Sequence, residues 1–123
     1  MTSTDSNSAD AIEKLRDALR EFALERDWNQ FHSPKNLAIA LSVEAAELLE
    51  HFQWMPEASS AALPAPTLAQ VREELADVLL YLIRLSDKLG LDLASAAWDK
   101  LMLNAQKYPP DKARGTSKKY TEL

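Results

Sequence analysis

Acidic side chains inside apolar helical segments constrain the fold of this chain more than any other feature of its sequence. The segment 42–54, SVEAAELLEHFQW, contains no Gly or Pro and is rich in helix-forming residues. At about 100° of rotation per residue, one face of this helix is apolar and consists of Leu37, Leu41, Leu48 and Phe52. Glu44 lies in the middle of that face, and Glu47 lies at its edge. Because burying a lone carboxylate is costly, we expect a compensating group nearby.

A second acidic pair, Glu74 and Asp77, has the same three-residue spacing. Asp77 is the only charged residue in the apolar run 75–83. If the two helices pack together, four carboxylates converge on one point, and they repel one another unless a cation lies between them. Oxygen ligands of this kind suit Mg²⁺ or Mn²⁺. The sequence therefore predicts a divalent metal site, with Mg²⁺ as the first candidate.

The composition favours one modest all-α domain. The chain has 123 residues, only two glycines and almost no strand signals. It has no cysteine, which excludes disulfides and thiolate metal sites. The net charge of −5 argues against a nucleic-acid-binding surface. Neither a signal peptide nor an apolar run of membrane-spanning length is visible, so we expect a cytoplasmic protein without nucleic-acid or membrane partners.

Capping residues and apolar spacing predict four helices. The first extends from near Asp10 to about Arg26. The second begins at Ser33-Pro34 and ends near Trp54 or Met55, before a loop over 56–66. A capping box at 67–70 opens the third helix, and Gly90 ends it. The fourth, about 93–107, has Asp92 as its N-cap. We expect residues 1–9 to be disordered, 10–108 to form a single helical domain, and 109–123 to form a polar tail.

The third helix carries apolar residues on more than one side. Its predicted main face consists of Leu68, Val71, Leu75, Val78, Leu79, Leu82, Leu85 and Leu89. Leu80 and Ile83 lie off that face. We therefore expect one side to pack in the helix's own bundle and another to pack on a second subunit.

Aromatic side chains flank the acidic helix at both ends: Trp28, Phe31, His32 and Trp54. The simpler interpretation is that such residues complete the core. Together, however, an aromatic wall beside a metal site suits a nucleoside triphosphate, because the metal binds phosphates and the rings stack on a base. Tyr81, one turn after Asp77, could reach a sugar or phosphate, and Asn104 could contact a base or ribose.

The acidic motifs Glu44-x-x-Glu47 and Glu74-x-x-Asp77 resemble those of the MazG-like, all-α nucleoside triphosphate pyrophosphohydrolases. The stretches RDWNQFHSPKNLAIAL, ELLEHFQW, EELADVLLYLIRL and KKYTEL resemble the dCTP pyrophosphatase branch of that family. The likeness extends from about Ile12 to the C-terminus. It implies a four-helix bundle core that assembles as a homotetramer, a dimer of dimers.

The resemblance also implies roles for individual residues. The implied Mg²⁺ ligands are Glu44, Glu47, Glu74 and Asp77. The implied substrate contacts are Trp28, Asn29, Gln30, Phe31, His32, Trp54, Tyr81 and Asn104. Leu19 stands where the animal members have a histidine that contributes to the site.

The implied reaction is hydrolysis of dCTP, or of a modified dCTP, to dCMP and pyrophosphate. A water attacks the α-phosphorus, and the candidate catalytic residues are Glu44, Glu47 and Asp77, with Glu47 as the candidate general base. Two alternatives remain open. The first is a related pyrophosphohydrolase for dUTP or another non-standard deoxynucleotide. The second is a non-catalytic helical interaction module.

Overall fold

The computed structural model describes the backbone of residues 4–123 and the side chains from residue 11 onward. Its helices are α1 (Thr4–Glu25), α2 (Pro34–Glu50), α3 (Glu57–Ser60), α4 (Ala65–Lys88), α5 (Leu93–Lys107) and α6 (Pro110–Ala113). Two 3₁₀ helices cover Asn29–Phe31 and Tyr120–Glu122. These residues contain no β-strand, which confirms the prediction of an all-α fold. No helix in this part of the chain is both long enough and apolar enough to cross a bilayer.

Three predicted helix ends have the expected capping geometry. The Ser33 side chain accepts a hydrogen bond of 3.1 Å from the backbone N–H of Asn36. The Asp92 side chain accepts one of 3.0 Å from the backbone N–H of Ser95. Gly90, just after α4, has a φ of +69°, a left-handed conformation that glycine adopts without steric cost.

Two predicted boundaries of the first half differ from the structure. Helix α1 begins at Thr4 and not near Asp10. Of the segment predicted to be disordered, 4–9 therefore lies in this helix, and 1–3 lies outside the described residues. Helix α2 ends at Glu50, four residues before the predicted end at Trp54. The chain there changes to tighter turns, in which the Phe52 N–H bonds to the Leu49 carbonyl at 2.9 Å.

The segment between α2 and α4 also differs from prediction. The expected loop over 56–66 contains the one-turn helix α3. Helix α4 begins at Ala65 with Pro64 as its N-cap, so the predicted capping box at 67–70 is wrong. Pro66 fits in the first turn because backbone N–H groups there have no intrahelical partner in any case. The Leu68 N–H then donates to the Pro64 carbonyl at 2.9 Å.

The chain divides into two compact units, one ending at Leu91 and the other covering Asp92–Leu123. In the first unit α4 packs against both α2 and α1. The buried apolar side chains of the described residues all lie in these three helices, and they are Ala23, Leu37, Val71 and Ile83. The single helical domain predicted for 10–108 spans both units, and its boundaries stay a prediction.

The predicted main face of α4 is only partly buried, with Val71 on that face 6% exposed. Ile83, predicted to lie off that face, is only 1% exposed, whereas Leu75 and Leu68 on the predicted face are 53% and 55% exposed. Helix α4 is apolar on two sides, and periodicity cannot tell which side contacts the rest of the same chain. The side chosen from the sequence is largely uncovered in the single chain.

The second unit is held partly by aromatic contacts near its C-terminus. The rings of Tyr108 and Tyr120 meet edge to face with centroids 6.0 Å apart. The Lys107 ammonium lies 4.9 Å from the centroid of the Tyr120 ring, within cation–π range. These contacts connect the 3₁₀ helix of the predicted polar tail to the end of α5.

Candidate active site

Helices α2 and α4 bring three carboxylates together. Glu44 comes from α2, and Glu74 and Asp77 come from one turn of α4. One carboxylate oxygen of each residue lies within 4.8 Å of the other two. The i, i+3 spacing places the two α4 side chains next to each other, and the packing of α2 on α4 supplies the third. Three of the four predicted metal ligands therefore converge.

Two oxygens of this cluster have no hydrogen-bond partner. Glu44 Oε2 and Glu74 Oε2 are both buried, and no described residue donates a hydrogen bond to either. A buried carboxylate oxygen without a donor loses its solvation without compensation. Two such oxygens in one acidic cluster fit a divalent cation, because hard cations take carboxylate oxygens as ligands.

The proton affinity of Glu44 reflects the same crowding. Its pKa is raised from 4.5 to about 7. The largest cause is a hydrogen bond with Glu74, which forms only when one of the two carboxyls holds a proton. Burial raises the pKa further, and so does the neighbouring Glu47 carboxyl. Without a cation, the cluster therefore retains a proton near neutral pH.

Glu47, the fourth predicted ligand, stands apart from the group of three. It is half-buried and close enough to Glu44 to raise the pKa of that residue. Its oxygens do not belong to the set that lies within 4.8 Å. Its predicted roles as metal ligand and general base stay predictions.

A cavity of about 390 Å³ opens beside the acidic cluster. Its lining comes from α1, α4 and the segment between α1 and α2, and consists of Leu15, Ala18, Leu19, Phe22, Trp28, His32, Asp77, Leu80, Tyr81 and Arg84. Asp77 belongs both to this cavity and to the acidic cluster. An apolar pocket of this size with a few polar groups is typical of small-molecule sites.

The aromatic side chains of the cavity contact one another edge to face. The Phe22 and Trp28 rings have centroids 5.5 Å apart and an interplanar angle of 72°. The Trp28 and His32 rings are 6.2 Å apart at 64°. Tyr81 lies one turn after Asp77 on α4 and also lines the cavity. The structure thus brings three predicted substrate contacts, Trp28, His32 and Tyr81, to one cavity.

Sequence reasoning missed Arg84, which connects the predicted contacts to one another. Its Nε donates to His32 Nδ1 at 3.1 Å, and its Nη2 donates to Asn29 Oδ1 at 2.5 Å. The pKa of His32 is lowered, chiefly by burial and then by the positive charges of Arg84 and Lys88. The position of Arg84 in the sequence could have indicated a role at the site. It follows Asp77 by seven residues, which is two helical turns, and so lies on the same side of α4.

Five predicted contacts do not line the cavity, and one of them, Asn29, accepts the hydrogen bond from Arg84. Gln30 donates to the Asp27 carbonyl at 3.0 Å and serves the local turn. Phe31 is 58% exposed and Trp54 is 88% exposed. Asn104 is half-buried on α5, in the second unit. Their roles toward a substrate stay predictions.

Known proteins resemble this chain in sequence and in fold. The dCTP pyrophosphatase 1 of Mus musculus is 45% identical to this chain over 114 residues. The alignment covers 91% of this chain and 67% of the mouse protein. The dCTP pyrophosphatase 1 of Homo sapiens is 43% identical over 118 residues, with the same two coverages. A pyrophosphatase crystal structure from Archaeoglobus fulgidus superposes with a TM-score of 0.70 at 42% identity, covering 80% of this chain and 93% of that one. Residues 39–123 match the MazG-like family. The chain therefore belongs to the MazG-like family.

Proposed function

We propose that this protein hydrolyses dCTP to dCMP and pyrophosphate with the help of a divalent cation. The observation that carries the proposal is the shared position of Asp77, which belongs both to a carboxylate cluster with two partnerless oxygens and to an aromatic cavity. A nucleoside triphosphate needs both features side by side, one for its phosphates and one for its base. The dCTP pyrophosphatases that are 43–45% identical to this chain support the choice of substrate.

Glu44, Glu74 and Asp77 are the residues that would hold the cation, and we propose Mg²⁺, with Mn²⁺ as a possible substitute. When bound, the ion neutralises phosphate charge and acts as a Lewis acid. Binding of the cation displaces the proton of the acidic cluster. This exchange is possible near neutral pH because the pKa of Glu44 is about 7.

Glu47 is the residue best placed to accept a proton from the attacking water. It lies beside Glu44 but outside the group of three converging oxygens, so its carboxylate remains free to act as a base. The water oxygen forms a bond to the α-phosphorus, the bond from that phosphorus to the α,β-bridging oxygen breaks, and pyrophosphate leaves. Glu47 holds the proton that the water loses.

The cavity orients the nucleotide for this attack. Trp28 and Phe22 offer aromatic surface on which a pyrimidine can stack, and Tyr81 offers a hydroxyl near Asp77. Leu19 adds apolar lining to the same cavity. Proximity and orientation of the α-phosphorus relative to the acids follow from binding of the base.

A homotetramer accounts for apolar surface that a single chain leaves uncovered. Helix α4 exposes Leu68, Leu75, Leu79 and Leu82, and the outer side of α2 exposes Ile39, Val43 and Leu49. Association of copies through these two helices would bury this surface. A sedimentation measurement that finds a stable monomer at micromolar concentration would contradict this assembly.

We also propose that the protein is located in the cytoplasm.

A nucleotide panel tests the activity. Each deoxynucleoside triphosphate is incubated with the enzyme and Mg²⁺, with or without EDTA, and the products are resolved by chromatography. We expect dCMP and pyrophosphate, formed fastest from dCTP and lost with EDTA. Faster cleavage of dUTP or a modified nucleotide would replace the cytosine assignment. If no triphosphate is cleaved, the enzyme proposal is wrong, and the non-catalytic interaction module takes its place.

A further inference from the structure

Arg84 is a buried cation with three neighbours that fix its orientation. The residue is 5% exposed. Its Nε donates to His32 Nδ1 at 3.1 Å and its Nη2 donates to Asn29 Oδ1 at 2.5 Å. Its Nη1 lies 3.6 Å from Asp87 Oδ2. The planar guanidinium is the only side-chain group with enough fixed donors to serve all three partners at once.

The contact with Arg84 determines which nitrogen of His32 carries the proton. A guanidinium can only donate, so Nδ1 of His32 must accept and cannot itself be protonated. The ring is then neutral, with its proton on Nε2. The lowered pKa of His32, caused by burial and by the charges of Arg84 and Lys88, agrees with a neutral ring.

Arg84 is itself held in place from the other side. Asp87 accepts hydrogen bonds from Arg20 Nε at 2.8 Å and from Arg20 Nη2 at 2.5 Å. The Asp87 side chain is only 11% exposed, and it faces Arg84 one turn earlier on α4. A continuous chain of polar contacts therefore runs from Arg20 on α1 through Asp87 and Arg84 to His32.

We propose that Arg84 is a positioning residue that makes His32 a hydrogen-bond donor, through Nε2–H, to the base of the bound nucleotide. His32 lines the cavity, and among the described residues Nε2 makes no hydrogen bond of its own. An unpaired cytosine offers the acceptors O2 and N3, which match a donor and not a second acceptor. This inference rests on the proposed function for the identity of the ligand, but the state of His32 does not depend on it.

Nitrogen-15 NMR of histidine-labelled protein tests the state of His32 directly. The chain has only two histidines, so a His51→Asn variant assigns the signals. We expect His32 to carry its proton on Nε2 and to titrate below 6.5. In Arg84→Met, Nδ1 becomes free to take a proton, and the titration should move up toward 6.5. Arg72→Met, which makes the same substitution at an exposed arginine of α4 outside this chain of contacts, is the matched control and should leave His32 unchanged.

Steady-state kinetics test the link to the nucleotide. In Arg84→Met we expect KM for dCTP to rise about tenfold with kcat within about twofold, because the base contact is made equally in ground and transition states. Arg84→Lys keeps a positively charged donor group and should give a smaller rise in KM.

The possible results distinguish the positioning role of Arg84 from the proposed hydrolysis of dCTP. If wild-type His32 carries its proton on Nδ1, or if Arg84→Met keeps the wild-type titration and KM, the positioning role is wrong. If Arg84→Met does not fold, Arg84→Lys and the wild-type spectrum decide the question. If His32 has the expected state but no nucleotide is cleaved, the proposed function fails while the tautomer assignment stands.

Discussion

The carboxylates of Glu44 and Glu74, on two different helices, lie within 4.8 Å of each other, and each has a buried oxygen without a hydrogen-bond donor. This arrangement opposes folding unless a proton or a cation sits between the two groups. The pKa of Glu44, raised to about 7, shows that a proton takes this place when no cation does. Metal binding and protonation therefore compete at one point between α2 and α4.

The first prediction concerns stability against pH without metal. Native Glu44 has a pKa of about 7 against 4.5 for the unfolded group, so between these values the folded chain binds more protons than the unfolded chain. The free energy of unfolding in EDTA should therefore fall as pH rises from 4.5 to 7, and then level off. Denaturant titrations across this range measure it. In Glu44→Gln the free energy of unfolding should depend less on pH, whereas the control Glu50→Gln, at an exposed residue, should behave as wild type. If wild type and Glu44→Gln show the same pH dependence, the prediction is wrong.

Mg²⁺ should stabilise the protein through the same cluster. A ligand that binds only the native state raises the melting temperature, and competition with the Glu44 proton makes the effect larger at pH 8 than at pH 6. Thermal melts with and without Mg²⁺ measure the difference. Asp77→Asn should remove most of the gain. An equal gain in wild type and Asp77→Asn would place the cation elsewhere.

Replacement of Glu47 should separate proton transfer from metal binding. Glu47→Gln keeps the size of the side chain but cannot accept a proton, so we expect kcat to fall by about 100-fold or more. The Mg²⁺ concentration for half-maximal activity should change little, because Glu47 lies outside the group of converging oxygens. Full activity in Glu47→Gln rules out the general-base role. A large change in the Mg²⁺ requirement would instead make Glu47 a ligand.

Trp28 should contribute to binding of the base. Trp28→Ala removes a ring that lines the cavity and contacts both Phe22 and His32, so KM for dCTP should rise about tenfold. Trp28→Phe keeps an aromatic surface, so its KM for dCTP should rise less. Leu24→Ala, on an exposed residue of α1 outside the cavity, is the control. A wild-type KM in Trp28→Ala would move the base away from this cavity.

A charge on the exposed side of α4 should disturb assembly. Leu75 is 53% exposed in the single chain, so Leu75→Glu should not affect its core but would bury a charge between copies. Sedimentation velocity should show smaller species for Leu75→Glu. Ala69→Glu, exposed on another side of the same helix, should sediment as wild type. Identical sedimentation of all three proteins would exclude this face from the assembly.

Local interactions made much of the fold predictable from sequence. Ser33, Asp92 and Gly90 mark helix ends because caps depend on neighbouring residues, and the structure confirms each of them. The errors lie where backbone preferences are weak. Helix α4 begins with Pro66 in its first turn and without the expected side-chain cap. Helix α2 ends in tight turns although no Gly or Pro lies at that point.

The sequence by itself determined the all-α class and the pairing of acids on two helices, because helical periodicity places residues three apart side by side. Only the tertiary structure decided which side of α4 is buried, since both sides are apolar and only packing against α1 and α2 distinguishes Ile83 from Leu75. It also decided the place of Arg84. Its partner His32 is 52 residues away in the chain, and no local pattern encodes a contact over that distance.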